Sequence, residues 1–183
     1  MLRTRVALCG TLVAVGLGIA APGQALGGTC THGMHGCSAP EDGGIPADGI
    51  VQTSHLTEDA ANTAARAALA AAEAAGQHVS VAVVDRSGNP IVMLRGDGSG
   101  PHTFESAQRK AYTAASFNAP TSVLVDRLEQ QPTLADIPGT LFLAGGLPIQ
   151  YEGSPIAGIG VAGAPSGLTD EMFAQAGIDA ITN

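Results

Sequence analysis

The chain of 183 residues is long enough for one domain with a substantial core, and too short for two domains behind a leader. It is rich in small residues, has no Trp and carries a formal net charge of -8. An acidic chain without a basic cluster argues against nucleic acid and anionic membranes as partners. The scarcity of aromatic residues favours a core of small side chains in close contact.

The first residues have the pattern of a secretory signal peptide. Two arginines precede an apolar run at 6–21, and a proline and small residues follow it. The run is shorter than the span of about 20 residues that a membrane helix needs. We therefore expect residues 1–25 to be a signal peptide that is cleaved near Ala25, and the mature protein to be secreted and extracellular.

Residues 26–54 are expected to form a flexible arm and linker, since glycine, proline and aspartate dominate their second half. Cys30 and Cys37 are the two cysteines of the mature chain, and in an oxidising compartment they favour a small disulfide loop. His32 and His35 lie between them, and imidazole and sulfur suit copper, zinc and haem iron. Both interpretations stay open, because a disulfide would still leave the two histidines as ligands.

The first helix and a hairpin follow the arm. Thr57 can cap a helix that continues through an alanine-rich stretch to about Ala75, where Gly76 is well placed to end it. Residues 78–84 alternate and are β-branched, a turn follows, and residues 90–94 are expected to pair back as the second strand.

The stretch 102–121 predicts one amphipathic helix that ends at residues 118–120. Its apolar stripe consists of Phe104, Ala107, Ala111, Ala114, Ala115 and Phe117. Glu105, Arg109 and Lys110 are expected to form a charged face. Because the stripe is mostly alanine, a sheet, a flat ligand or a second subunit can lie close to this backbone. A plain core helix is the alternative.

The second half of the chain completes the predicted fold. We expect a helix from Thr121 to about Gln130, an irregular crossing, strands at 141–144, 149–151 and 155–163, and a last helix from about Thr169. The order is helix, two strands, two helices, three strands, helix. Short connections and hairpins favour a single α+β domain at residues 55–183, with helices packed on a five-stranded antiparallel sheet.

Four segments resemble the GlcG/HbpS family, which is also called haem-degrading or haem-binding and is related to the C-terminal domain of PduO-type proteins. They are HVSVAVVDRSGNPIVMLRGDG (78–98), RKAYTAASFNAPT (109–121), IPGTLFLAGGLPI (137–149) and GIGVAGAPSG (158–167). The resemblance covers residues 56–181. With the signal peptide and the His-containing arm, the chain looks most like the exported, extracellular haem-binding members.

The resemblance implies haem binding by a homo-oligomer, commonly an octamer, and signalling to a membrane sensor kinase in the exported members. Slow haem breakdown or iron storage stays open. Thr113 falls at the family's proposed haem-contacting position, and His32 or His35 falls where exported members carry a histidine.

The chemistry of a haem gives the candidate residues different roles and strengths. A threonine hydroxyl is a weak ligand, since haem iron is usually held by His, Cys, Met or Tyr. The propionates need cationic partners, for which Arg109, Lys110 and Arg95 are the nearest candidates. Tyr112 is expected to contact the macrocycle or to belong to the core.

Asp126 and Glu129 lie three residues apart and so share one helical face, which is the arrangement of a surface iron site or of a solvated acidic face. No pair of carboxylates for glycoside chemistry, Ser-His-Asp set or cysteine nucleophile can be assembled from the sequence. Two functions are therefore expected to compete. The first is an exported protein that captures haem or iron and signals redox stress, and the second is an enzyme that degrades haem or acts on another small ligand such as a corrinoid.

Overall fold

A computed structural model describes residue 45 and residues 47–182 of the chain. The predicted signal peptide at 1–25 lies outside the described residues. So do Cys30, Cys37, His32 and His35, and the predictions made for them stay predictions.

A four-stranded antiparallel sheet forms the centre of the domain. Its strands are β1 (Ser80–Asp85), β2 (Pro90–Arg95), β3 (Gly146–Tyr151) and β4 (Ser154–Ala162), in the spatial order β2-β1-β4-β3. Each end of the sheet is a hairpin, and β1 and β4 join the hairpins in the middle. Val83, for example, pairs with Val92 on β2 and with Ile159 on β4. The two central strands are buried on both faces, so helices must cover both.

Two helices cover one face of the sheet. They are α1 (Glu58–Ala74) and α4 (Gly167–Thr182), which also pack on each other. The alanine stripe of α1 and Phe173 of α4 form a core with alternate residues of the central strands, such as Val81 and Ile159. The helix α1 begins and ends as predicted: the hydroxyl of Thr57 accepts a hydrogen bond from the N–H of Ala60, and Gly76 has a φ of 68°.

The opposite face of the sheet carries α2 (Thr103–Phe117). Its buried alanines lie against the glycines of β4 so closely that a Cβ at Gly160 would overlap the carbonyl oxygen of Ala107 and lie 2.6 Å from the amide nitrogen of Ala111. The hydroxyl of Thr103 anchors the first turn, since it lies 2.8 Å from that of Ser80 and donates to the carbonyl of Gly100.

A break separates α2 from α3 (Thr121–Arg127), as the sequence predicts. Asn118 ends α2 in the left-handed conformation with a φ of 49°, and Pro120 precedes α3. The crossing that follows contains a short 3-10 helix, Pro132–Asp136.

The prediction of five strands is wrong, because residues 141–144 join no strand in the described part of the chain. The amide of Leu141 donates instead to the side-chain hydroxyl of Thr113, and the ring of Phe142 packs edge-on against Phe117 with centroids 5.4 Å apart. An apolar run is thus held by one helix and not by a strand ladder. The α+β class, the antiparallel sheet and the positions of the four α-helices are confirmed.

Within residues 45 and 47–182, no helix has both the length and the apolar character needed to cross a bilayer.

Candidate functional site

A groove of about 570 Å³ runs along the side of α2 that faces away from the sheet. The helix contributes four side chains, the β1–β2 turn contributes one glycine, and the loop after the 3-10 helix contributes two residues. The lining consists of Glu105, Gln108, Arg109 and Tyr112, with Gly88, Pro138 and Gly139. Two of the residues predicted for haem contact, Arg109 and Tyr112, therefore lie in one groove.

The ring of Tyr112 is enclosed by two glycines from separate segments. A Cβ at Gly88 would overlap one edge of the ring at Cδ2, and a Cβ at Gly139 would lie 3.6 Å from Cε1 on the other edge. Both glycines have positive φ, 88° and 82°, a conformation that favours glycine. The ring thus lies in a clamp between these two backbone segments. A side chain at Gly88 would overlap the ring, whereas a Cβ at Gly139 would only be in van der Waals contact with it.

Arg109 supplies the positive charge of the groove. Its side chain is 44% exposed, and its Nη1 lies 3.8 Å from Oε1 of Glu105, which is 77% exposed. An exposed i,i+4 pair at this distance contributes little stability, so the guanidinium can exchange Glu105 for an anionic ligand at low cost.

Thr113 lies on the buried side of α2, not in the groove. Its hydroxyl donates to the carbonyl of Arg109 at 2.7 Å and accepts from the amide of Leu141 at 2.8 Å, and the residue is fully buried. The hydroxyl therefore attaches the segment 137–145 to α2 and is enclosed by it. The haem contact that the resemblance implies for Thr113 stays a prediction, and the groove offers no open path to this oxygen.

The prediction that Lys110 forms a charged face of α2 with Glu105 and Arg109 is wrong. Its side chain is 2% exposed, and its Nζ donates to Oδ2 of Asp170 at 2.8 Å and to the carbonyl of Val161 at 3.0 Å. The ammonium is thus held inside the domain, where it connects α2 to β4 and α4. Arg109 remains as the cation of α2 that can reach a ligand's carboxylate.

Asp170 completes this buried pair. Burial raises the pKa of the Asp170 carboxyl above its usual value, while hydrogen bonding and the positive charge of Lys110 act against that rise. The other carboxylate oxygen, Oδ1, accepts from the amide of Ala164. No local pattern in the sequence identifies this role of Asp170, because its partner is 60 residues away.

Asp126 and Glu129 are both exposed, the first near the end of α3 and the second in the turn that follows. Among the residues that the structure describes, no cluster of three or more His, Cys, Asp or Glu side chains could hold a metal ion. The two carboxylates thus gain no third ligand from the described fold, and the surface iron site stays a prediction.

Two more histidines lie away from the groove. His102 precedes α2 as an exposed residue without a side-chain cap, and it lines a separate cavity of about 270 Å³ with Ser106. The Nδ1 of His78 lies 2.7 Å from the carbonyl oxygen of Asp97, and both residues line a cavity of about 190 Å³.

The part of the chain that forms this groove matches a known protein family. A family model described as "Haem degrading protein HbpS-like" matches residues 56–179, which is most of the described domain. The chain belongs to this family. The match includes α2 and both segments that enclose Tyr112.

Solved structures show the same fold as this HbpS-like domain. A crystal structure of HbpS is 61% identical, covers 76% of this chain and 99% of its own, and has a TM-score of 0.76. A double mutant of HbpS from Streptomyces reticuli is 58% identical, with coverages of 80% and 99% and a TM-score of 0.75. A PduOC–haem complex is 26% identical, with coverages of 70% and 96% and a TM-score of 0.65.

Proposed function

We propose that the HbpS-like domain binds haem in the groove along α2. The observation that carries the proposal is the presence, in one open groove of about 570 Å³, of an available guanidinium at Arg109 and a fixed aromatic ring at Tyr112. A related protein of the same fold has been solved as a haem complex, and the family is described as haem-degrading.

The groove has the size and the chemistry that a haem needs. Its volume lies in the range of about 300–1,000 Å³ that is usual for small-molecule sites. The ring of Tyr112 and the side chain of Pro138 offer apolar contact to a flat macrocycle, and Arg109 can pair with a propionate through two parallel hydrogen bonds. Haem, when bound, would supply iron chemistry, while these residues bind and orient it.

Titration of the mature protein with haemin, followed at the Soret band, tests the proposal. We expect a saturable shift in the wild type and weaker binding in Arg109→Gln, because a propionate loses its cationic partner. The matched control is Arg66→Gln, an exposed arginine on α1 across the sheet. A wild type that shows no saturable shift would contradict haem binding, and equal affinities for the two variants would move the site out of this groove.

Haem breakdown is the second candidate, and the description of the family favours it. Incubation of the haem-loaded protein with a reductant or with peroxide would distinguish the two functions. A binding protein keeps its porphyrin band, whereas a degrading enzyme loses the band and releases iron in proportion. Free haemin under the same conditions is the control for uncatalysed bleaching.

We also propose that the protein is exported, forms a homo-oligomer and reports haem or redox stress to a membrane sensor kinase. The signal-peptide pattern at 1–25 supports export, and the Cys/His-containing arm at 26–54 supports a role in metal capture. N-terminal sequencing of secreted protein tests cleavage near Ala25. Light scattering tests the octamer, and phosphorylation of a reconstituted sensor kinase with and without the haem-loaded protein tests signalling.

A further inference from the structure

The cavity of about 270 Å³ that His102 and Ser106 line lies on a second side of α2. Lys110 follows them at the same spacing of four positions, so the three side chains share one face of the helix. The remaining lining consists of Leu143, residues 162–166, Gly167 and Asp170. None of these residues lines the groove, so the haem site proposed above makes no use of this cavity.

The buried ion pair lies at the inner end of the cavity. Lys110 and Asp170 both line it, although their side chains are only 2% and 4% exposed. Each oxygen of Asp170 already accepts a hydrogen bond, one from Nζ of Lys110 and the other from the amide of Ala164. The ammonium carries three protons and meets two acceptors in the described part of the chain, Asp170 and the carbonyl of Val161. One N–H of Lys110 thus remains for a further acceptor.

Hydrogen-bond donors predominate around this inner end. The ammonium of Lys110, the hydroxyl of Ser106 and the imidazole of His102 can all donate into the same cavity. The helix α4 begins beside them at Gly167, and the N-terminus of a helix favours negative charge. Asp170 is the one acidic side chain among the described residues that line the cavity, and both of its oxygens are engaged. The cavity therefore suits an anionic acceptor better than a cation.

The outer part of the cavity is apolar and small. Leu143 and Pro165 are exposed residues of the lining, and the volume of about 270 Å³ is below the range of about 300–1,000 Å³ that is usual for drug-sized ligands. We infer that the cavity binds a short-chain monocarboxylate. The carboxylate group accepts hydrogen bonds from Lys110 and Ser106, and the hydrocarbon chain contacts Leu143 and Pro165. The inference also gives the buried ion pair a role, since such a pair is seldom more stabilising than apolar residues of the same size.

Calorimetric titration of the haem-free mature protein tests the ligand class. The probes are sodium acetate, sodium butyrate and sodium phosphate, with sodium chloride keeping the ionic strength constant. We expect saturable binding of butyrate, tighter than that of acetate by up to about fourfold for each methylene that is buried. Phosphate should bind more weakly, because it has no hydrocarbon chain for the apolar part. Phosphate that binds as tightly as butyrate would overturn the assignment to a carboxylate.

Two substitutions at Ser106 locate the binding. Ser106→Ala removes the hydroxyl from a helix position that alanine favours, and the dissociation constant of butyrate should rise about tenfold, as is usual for a hydrogen bond to a charged group. Ser106→Leu fills the cavity and should abolish binding. The controls are Ser87→Ala, an exposed serine in the β1–β2 turn, and Arg109→Gln, which removes the cation of the groove. Thermal unfolding checks that each variant is folded, and Ser106→Ala carries the test alone if Ser106→Leu is not.

The outcomes distinguish this cavity from the groove. Binding that is lost at Ser106 and kept in both controls supports the inference. A wild type without saturable carboxylate binding overturns it, and so does an affinity that is unchanged by substitution of Ser106. Binding that is lost only in Arg109→Gln places the carboxylate in the groove and also overturns the inference. Because the titration contains no haem, none of these results depends on the haem proposal.

Discussion

The Nζ atom of Lys110 lies 2.8 Å from Oδ2 of Asp170, and the two side chains are 2% and 4% exposed. The pair connects α2 on one face of the sheet to α4 on the other. Nζ also donates to the carbonyl of Val161, so the ammonium contacts β4 as well. The charged connection lies near the end of β4, beside the cavity that His102 and Ser106 line.

Removal of one member of this pair should be strongly destabilising. We expect Lys110→Met to lower the free energy of unfolding by about 3–5 kcal/mol, because Asp170 would remain buried without a counter-charge. Urea unfolding followed by circular dichroism measures the loss. The double variant Lys110→Met/Asp170→Leu should recover part of it, and a double variant as unstable as the sum of the single changes would contradict a coupled pair.

Thr113 should act through the loop that it holds. Thr113→Val keeps the shape but leaves the amide of Leu141 without its acceptor, so we expect a loss of about 1–3 kcal/mol in stability. Hydrogen exchange at the Leu141 amide should become faster, while Thr113→Ser should keep the wild-type rate. In the haemin complex, Thr113→Val should weaken binding without moving the Soret band, whereas a direct threonine ligand would require the band to move.

The close contact between α2 and β4 predicts that glycines differ in how much stability is lost when they are replaced by Ala. Gly160→Ala should cost about 3 kcal/mol or more, because the new methyl group would overlap the backbone of α2 at Ala107. Gly153→Ala is the control, since an added Cβ there has no atom within 4 Å and only the positive φ of 76° is penalised, at about 1–2 kcal/mol. Equal losses in thermal unfolding would show that α2 can move away from the sheet.

Asp85 should make the free energy of unfolding depend on pH in the acidic range. Burial acts to raise the pKa of the Asp85 carboxyl, but hydrogen bonds from the Asn89 side chain and from three backbone amides outweigh it, so the pKa lies below the usual 3.8. Because the folded pKa is the lower one, this stabilisation is fully present above pH 3.8 and is lost as the pH falls through the folded pKa.

Urea midpoints at several pH values between neutrality and pH 3 test this for the wild type and Asp85→Ala. The variant should be less stable near neutral pH, since the amides of Ser87 and Asn89 lose their acceptor. The difference between the two proteins should shrink in acid. A difference that is independent of pH would contradict the role of the ionised carboxylate.

The elements that could be predicted are those whose signals are local. Thr57 and Gly76 mark the ends of α1 by a side-chain cap and a positive φ, and the turn after Asp85 identifies the first hairpin. Residues 141–144 were predicted as a strand because their composition is apolar, whereas their hydrogen bond goes to Thr113, 28 residues earlier. No local pattern contains that contact.

In the candidate site, too, features with a local sequence signal could be predicted and features that need distant contacts could not. Arg109 and Tyr112 could be proposed from charge, chemistry and resemblance, and both line the groove. Lys110 was assigned to a charged face with Glu105 and Arg109, and its buried contact with Asp170 reverses this. The clamp on Tyr112 could not be predicted, since its two glycines are 51 positions apart in the chain, 139 − 88, and lie on either side of one ring.

The backbone contact between α2 and β4 also determines how freely amino-acid substitutions can be accepted on the two faces of the sheet. At Gly158 and Gly160 the helix and the strand meet through main-chain atoms, so no adjustable side chain lies between them to absorb a substitution. On the other face, Val81, Ile159 and Phe173 form a layer in which one apolar residue can compensate for another. The groove therefore lies on the face of the sheet that accepts the fewest substitutions. Its shape should persist while the sequences of α1 and α4 diverge.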